Sequence, residues 1–270
     1  MQKQVDPSRA SNADGFFPFN FSQNSRVNAN GASDDWFRMR HVLGLICEQI
    51  VPIVSRNCNP LLLDPIAELD FYEDQHRYRW RGNWILNNVS DVLSSDLTPY
   101  AKAQIEKTKH GPDGWLVRGE TIHRSLDRYL KGEVDMHEDR WSPWIDALTD
   151  HDLFKGIETL ATEYRVVDRY NSVAGSFDFL ISSDAGTSLG DLKTVSSRKA
   201  VSSRKPATAQ LGAYVKMLQQ WQPKLMVTQC VTVVSGPERC KVIREDPEDC
   251  INAWEEAWGR FQAKQAAYDF

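Results

Sequence analysis

Two short runs of alternating apolar residues, 175–181 (Gly-Ser-Phe-Asp-Phe-Leu-Ile) and 189–194 (Leu-Gly-Asp-Leu-Lys-Thr), flank a turn built on Asp184-Ala185-Gly186. A period of two between turn residues specifies strands, so the pair reads as a hairpin. On a strand, residues two apart share a face, so Asp191 and Lys193 point one way and Leu192 points into the opposite layer. Asp178 lies between Phe177 and Phe179 and, on a regular strand, faces away from both rings. A carboxylate on the buried side needs partners. If the hairpin register sets Asp178 beside Asp191, two carboxylates and one ammonium meet at one spot.

Such a cluster suits a divalent cation. Carboxylates held together in a partly desolvated site repel one another and bind protons more tightly, unless an oxygen-seeking cation sits between them. Mg²⁺ or Mn²⁺ is the natural occupant. In that role a metal lowers the pKa of a bound water and offsets charge at a phosphate, and Lys193 would orient the attacking water. On an exposed hairpin the same Asp-x-Lys would be a solvated pair contributing ~0–1 kcal/mol, so its neighbours decide. Upstream, Glu163 opens the strand-like run Glu-Tyr-Arg-Val-Val (163–167) and offers a third carboxylate. Residues 119–130 read as an amphipathic helix with His123 near its start. Downstream, Pro206 begins a segment with Leu211, Val215 and Leu218 at helical spacing, and Gln210 and Tyr214 lie one turn apart on an adjacent stripe. Tyr214 is expected to be half-buried with its hydroxyl available.

In this order the elements resemble the PD-(D/E)XK nuclease superfamily, specifically its RecB-like branch. The likeness runs from Gly119 to Tyr214: Gly-x-x-x-His, Glu before a strand, Gly-x-x-Asp, Asp-x-Lys-Thr, Gln-x-x-x-Tyr. It has a family-style beginning at 76–80 (His-Arg-Tyr-Arg-Trp), where a strand leads into 88–93. The resemblance implies an α/β fold with a central mixed β-sheet flanked by helices, like the restriction-endonuclease core. It implies a metal-dependent DNA nuclease in which Asp178 and Asp191 bind Mg²⁺ or Mn²⁺ and Lys193 is the catalytic lysine. His123 and the backbone carbonyl of Leu192 complete the metal site, Glu163 is an upstream catalytic acid, and Gln210 and Tyr214 position DNA. An exonuclease of recombination, repair or phage DNA processing is favoured. A structure-selective or site-specific endonuclease, or a non-catalytic DNA-binding protein on the same fold, are the alternatives.

Composition fits that reading. A chain of 270 residues can bury one large α/β core, and residues 34–270 are taken as a single nuclease domain behind a flexible tail, 1–33, that carries Phe16, Phe17, Phe19 and Phe21. The net charge of -5 does not advertise nucleic acid, but 193–224 holds no acid and contains a tandem Val-Ser-Ser-Arg-Lys at 195–199 and 201–205. Arg198, Lys199, Arg204 and Lys205 are therefore candidate phosphate contacts; the same segment also reads as a solvated loop. Some RecB-like nucleases hold an iron-sulfur cluster. Cys47, Cys58, Cys230, Cys240 and Cys250 are widely spread without a Cys-x-x-Cys pair, so no cluster is expected. An odd cysteine count, no signal-like start and no bilayer-length apolar run point to a cytoplasmic or DNA-containing compartment. Gly-x-x-x-x-Gly-Lys-Ser/Thr is missing, so ATP-driven movement would come from a partner, such as a recombination or replication protein. Apolar residues Phe37, Val42, Leu45, Ile46 and Ile50 set a helix over 34–54, and 247–268 reads as a final helix with Trp254, Trp258 and Phe261 on one core-facing side.

Overall fold

The computed structural model describes residues 62–111 and 114–268. The expectations of a tail over 1–33 and a helix over 34–54, and the residues Cys47 and Cys58, lie outside them. In chain order the elements are β1 (Leu69–Tyr72), β2 (Arg77–Trp80), β3 (Asn83–Trp84), β4 (Asn87–Asn88), α1 (Val89–Ser94), α2 (Pro99–Lys107), α3 (Trp115–Lys131), α4 (Ser142–Thr149), β5 (Glu158–Val167), β6 (Val173–Ser183), β7 (Gly186–Thr194), α5 (Arg198–Ser203), α6 (Thr208–Trp221), β8 (Gln229–Gly236), β9 (Arg239–Glu245) and α7 (Pro247–Tyr268).

The expected hairpin is β6–β7, antiparallel from Phe179↔Gly190 to Ser183↔Gly186. It sits inside a six-stranded sheet that runs β6-β7-β8-β9, with β5 along one edge of β6 and β4 against its first residues. β7 and β8 are parallel while β5–β6 and β8–β9 are antiparallel, so the sheet is mixed. The parallel step is possible because α5 and α6 carry the chain between β7 and β8.

Each face of this sheet is covered. On one face, Leu211, Val215 and Leu218 of α6 and Cys250, Trp254 and Phe261 of α7 pack with Val89, Tyr164 and Phe177. On the other, Ile122, Leu126 and Leu130 of α3 and Ile145 and Leu148 of α4 pack with Phe179, Leu192, Val231 and Val233. Burial on both faces explains why β8 is buried at seven of its eight positions, the pattern of a central strand and not of an alternating edge. Fully buried Phe154, Phe177 and Phe179 contribute ~1.5–3 kcal/mol each. The aromatic side of α7 belongs to this core, with Trp258 stacked between Trp254 and Phe261 at 5.9 and 5.5 Å. A separate three-stranded sheet, β1-β2-β3, is joined to the large one by a Tyr78 hydroxyl 3.0 Å from Ser176 Oγ.

Four expectations are corrected. The helix carrying His123 begins at Trp115, so His123 lies at its middle; the mixed sequence 115–118 hides the early turn. β5 begins at Glu158 rather than Glu163, because 158–162 pairs with β6 despite its polar residues. The basic repeats are not wholly a loop: 198–203, which joins the end of the first to the start of the second, is helical, capped by the Ser197 hydroxyl on Ala200 N, with Val201 buried, while Arg204 and Lys205 follow the helix. Tyr214 is buried, at 4% exposure, rather than half-buried.

Candidate metal centre

The centre forms where the edge of β6 forks. Ala174 has Val167 of β5 on one side and Asn88 of β4 on the other. Phe179 has Thr162 of β5 on one side and Gly190 of β7 on the other. Between them the register pairs 175–178 with neither β4 nor β7, and Asp178 stands at the opening. At Phe179 the strands are locked together, since a Cβ on Gly190 would lie 1.9 Å from the Phe179 ring. Opposite Asp178, between the pairs Thr162↔Phe179 and Tyr164↔Phe177, falls Glu163. Its backbone has φ 45°, a left-handed conformation rare for a non-glycine residue and a form of strain that accumulates at functional sites.

Strict alternation fails here, which corrects the expectation that Asp178 faces away from both aromatics. Phe177 stacks on Tyr164 at 5.3 Å in the first core cluster, while Phe179 meets Phe154 at 5.4 Å in the second. The fork thereby lets helices on opposite faces of the sheet reach one point. From α3, His123 Nδ1 lies 3.1 Å from Asp178 Oδ1 and 3.9 Å from Glu163 Oε1. One ligand atom each from His123, Glu163 and Asp178 fall within 4.8 Å of one another. The second Asp178 oxygen, Oδ2, accepts from the Leu192 backbone N–H.

From α6, Gln210 closes a ring with the Asp-x-Lys pair. Lys193 Nζ lies 2.8 Å from Asp191 Oδ2 and donates to Gln210 Oε1 at 2.8 Å, while Gln210 Nε2 donates to Asp191 Oδ1 at 2.8 Å. Gln210 Nε2 also donates to the Tyr214 hydroxyl at 3.0 Å, as their one-turn spacing allows. Tyr214 reaches this position because residue 175 is glycine: a Cβ there would stand 2.7 Å from Tyr214 Cε1 and 3.1 Å from Val89 Cγ2.

The charges follow the geometry. Burial alone would lower the His123 imidazole, but the Asp178 carboxylate, with Glu163 and Asp191 beyond it, outweighs burial and lifts it to about 9. His123 is thus a cation at neutral pH and answers the acids around it. Burial pushes up the Glu163 carboxyl, and the Asp178 charge adds to this, to about 7. Asp178 is held low because His123 and Lys193 outweigh its burial. Asp191 is pushed up by burial despite Lys193. The cluster sets three carboxyl groups beside one imidazole and one ammonium, and its donors are oxygens with one imidazole nitrogen, a set that fits a divalent cation.

Arg198, Lys199, Arg204 and Lys205 are exposed on and after α5, and Arg198 spends its charge on Glu238 at 3.0 Å. Beside Glu163 opens a groove of about 360 Å³ lined by Leu63, Pro65, Ile66, Lys131 and Arg165. Arg165, two residues along β5 from Glu163, escaped the sequence reading, although period two on that strand marks it as a neighbour. Among the described residues, Cys230 and Cys250 are buried free thiols, and no helix is long and apolar enough to cross a membrane.

No protein-family model and no curated protein matches the sequence. Solved structures similar to the chain include SSO0001, at 16% identity and TM-score 0.34 over 63% of this chain and 74% of that one. Another is LHK-Exo in complex with dAMP, at 14% identity and TM-score 0.30 over 67% of this chain and 88% of that one. Likenesses of this strength carry no argument about the activity.

Proposed function

We propose that the chain is a divalent-metal-dependent deoxyribonuclease of the PD-(D/E)XK kind, acting as an exonuclease. The observation that carries this reading is the juxtaposition, at one fork of the sheet, of the His123–Glu163–Asp178 cluster with the Asp191–Lys193–Gln210 ring. Asp178 and Asp191, with His123, Glu163 and the Leu192 carbonyl, are the groups that would hold Mg²⁺ or Mn²⁺. When bound, such an ion supplies Lewis acidity toward a phosphate oxygen and an acidified water.

The remaining work falls to the chain itself. Lys193 Nζ, fixed between Asp191 Oδ2 and Gln210 Oε1, presents its third proton to an attacking water or a non-bridging oxygen. Tyr214 holds Gln210, and so keeps the ammonium from wandering in its partly exposed position. Glu163, the most exposed of the acids, would take up or return a proton when it is not engaged with the ion. Arg198, Lys199, Arg204 and Lys205 would carry DNA phosphates away from the ring.

Purified protein incubated with end-labelled linear DNA and with covalently closed circular DNA, in Mg²⁺, Mn²⁺ or EDTA, tests the reading. Metal-dependent loss of linear DNA with circles spared is expected. Cutting of circles assigns an endonuclease on the same centre, and binding without turnover in either metal overturns the enzymatic reading.

A further inference from the structure

Five arginines near the small sheet lie against rings instead of acids. Arg77 and Arg79 stand 4.8 and 6.0 Å from the centre of the Trp84 ring, and Arg81 is 4.9 Å from that of Trp80. Arg165 is 5.6 Å from Phe71, and Arg169 is 4.1 Å from Trp221. Among the described residues, arginine ion pairs are made by Arg128, Arg140, Arg198 and Arg260, and none by these five. The rings fall in three pairs: Tyr72 meets Trp84 at 5.0 Å, Phe71 meets Tyr78 at 4.7 Å, and Trp80 meets Trp221 at 5.6 Å.

A guanidinium paired with a carboxylate has little left for an anion. One laid on a ring keeps its full charge, and the ring restricts its rotamers in advance; Arg79 also donates Nε to Gly82 O at 2.9 Å, which leaves its terminal nitrogens for an anion. Strand geometry sorts the two sides. Tyr78 and Trp80 turn inward to the core, so Arg77 and Arg79 share the outer face with Tyr72 and Trp84, whereas the exposed Arg81, Arg165 and Arg169 lie against the core-packed rings of Trp80, Phe71 and Trp221. Asp70, opposite Arg79 in the register, is the acid of that face, whereas Glu73 and Asp74 sit on the turn between β1 and β2. Continuity with the metal centre is direct. Arg165 lies two residues from Glu163 on β5, and Tyr78 is bonded to Ser176, two residues before Asp178.

We propose that this ring-backed arginine belt is a second DNA-binding surface, which holds the phosphodiester backbone of a strand on the β1–β3 side of the metal cluster. Naming DNA as the occupant rests on the deoxyribonuclease reading; the anion chemistry rests on the belt. Preset guanidiniums bind backbone without sequence preference, and the exposed faces of Tyr170 and Leu86 beside the belt offer apolar contact to unpaired bases.

The test is fluorescence anisotropy of labelled single-stranded and duplex oligonucleotides against salt, in EDTA so that neither metal nor cleavage enters. For the Arg77→Gln/Arg79→Gln/Arg81→Gln variant the log–log salt slope should fall by about 2–3, at ~0.7–0.9 per contact. Raising salt from 50 to 200 mM should then weaken the parent roughly 20- to 40-fold more than the variant. Trp84→Leu, which keeps every charge, should weaken binding with its slope closer to the parent's, because the guanidiniums lose their support and not their charge. Loss on the single strand alone assigns the belt to an unpaired strand, and loss on both forms assigns it to duplex as well. Equal affinity and slope for parent and triple variant on both DNAs, or a parent that binds neither, overturns the belt. Belt-dependent binding by a parent that cleaves nothing in Mg²⁺ or Mn²⁺ supports the belt and sinks only the nuclease reading; metal-dependent cleavage with belt-independent binding does the reverse.

Discussion

Gly175→Ala is the smallest change that reaches the centre without touching a reacting group. The added Cβ would stand 2.7 Å from Tyr214 Cε1 and 3.1 Å from Val89 Cγ2, so it is caught between α6 and α1 and cannot relax from one without pressing on the other. Relief of the first contact needs a shift of about 1 Å toward ordinary carbon–carbon separation. Overpacking of this kind costs about 1–3 kcal/mol, which for a domain of this size is a fall in melting temperature of roughly 2–10 °C. Displacing Tyr214 also frees Gln210, the group that holds both Asp191 and Lys193. Cleavage should therefore fall more steeply than stability. A double-mutant cycle with Tyr214→Leu checks the cause. Leucine lacks the offending ring edge, so the two changes together should be at least ~1 kcal/mol less destabilising than the sum of the single costs. Additive costs, or full cleavage in Gly175→Ala, would refute the chain of contacts from Gly175 to Lys193.

Asp191→Asn and Lys193→Ala should each abolish metal-dependent cleavage, the first while melting within a few degrees of the parent and the second at a larger cost because buried Asp191 loses its cation, and retained cleavage in either removes that residue from the mechanism. An imidazole must be neutral to bind a cation, so with His123 lifted to about 9 the metal affinity should rise about tenfold per pH unit from pH 7 to 9, with one proton released on binding. Calorimetry in two buffers of different ionisation enthalpy reads that proton directly, and a flat affinity, or a His123→Ala variant with the parent's pH slope, rules the ligand out. In metal-free protein the sign is opposite. A raised histidine stabilises fully below its unfolded value of about 6.5 and loses that contribution as pH climbs through about 9, so the melting temperature in EDTA should fall over this window and His123→Ala should flatten the fall. Neutralising Lys199, Arg204 and Lys205 should flatten the salt dependence of DNA binding by ~0.7–0.9 per contact, with Arg198 adding least because Glu238 already holds it; an unchanged slope puts the DNA path elsewhere.

The hairpin was legible because period two between turn residues has few other solutions, and with it came the common face of Asp191 and Lys193. Gln210 and Tyr214 were legible as a pair from their one-turn spacing, though not the burial of Tyr214, which depends on the vacancy at Gly175 across the sheet. Glu163 could be named but not placed. Nothing in Ala-Thr-Glu-Tyr-Arg announces a left-handed residue inside a strand, because that backbone is imposed by the pairing around it and not by local preference. The break of alternation at Asp178 escaped for the same reason: it follows from β4 and β7 leaving the edge of β6 at different points, a fact of tertiary pairing. The sequence reading passed over the period-two arginines at 77, 79 and 81, and only the third dimension sets Arg165 against Phe71 and Arg169 against Trp221.

The burial of β8 at seven of its eight positions has a consequence away from catalysis. Cys-Val-Thr-Val-Val-Ser (230–235) is an uncharged, proline-free, β-branched stretch whose every backbone group is claimed in the native fold by β7 on one side and β9 on the other. Before those neighbours arrive, or after they are lost, the same stretch is a template for stacking with copies of itself. Its parallel partner β7 pairs with it only across the two intervening helices, so closure is slow relative to hairpin formation. Recovery from denaturant should accordingly be limited by protein concentration, and handling the chain dilute during refolding guards the segment that the finished sheet hides.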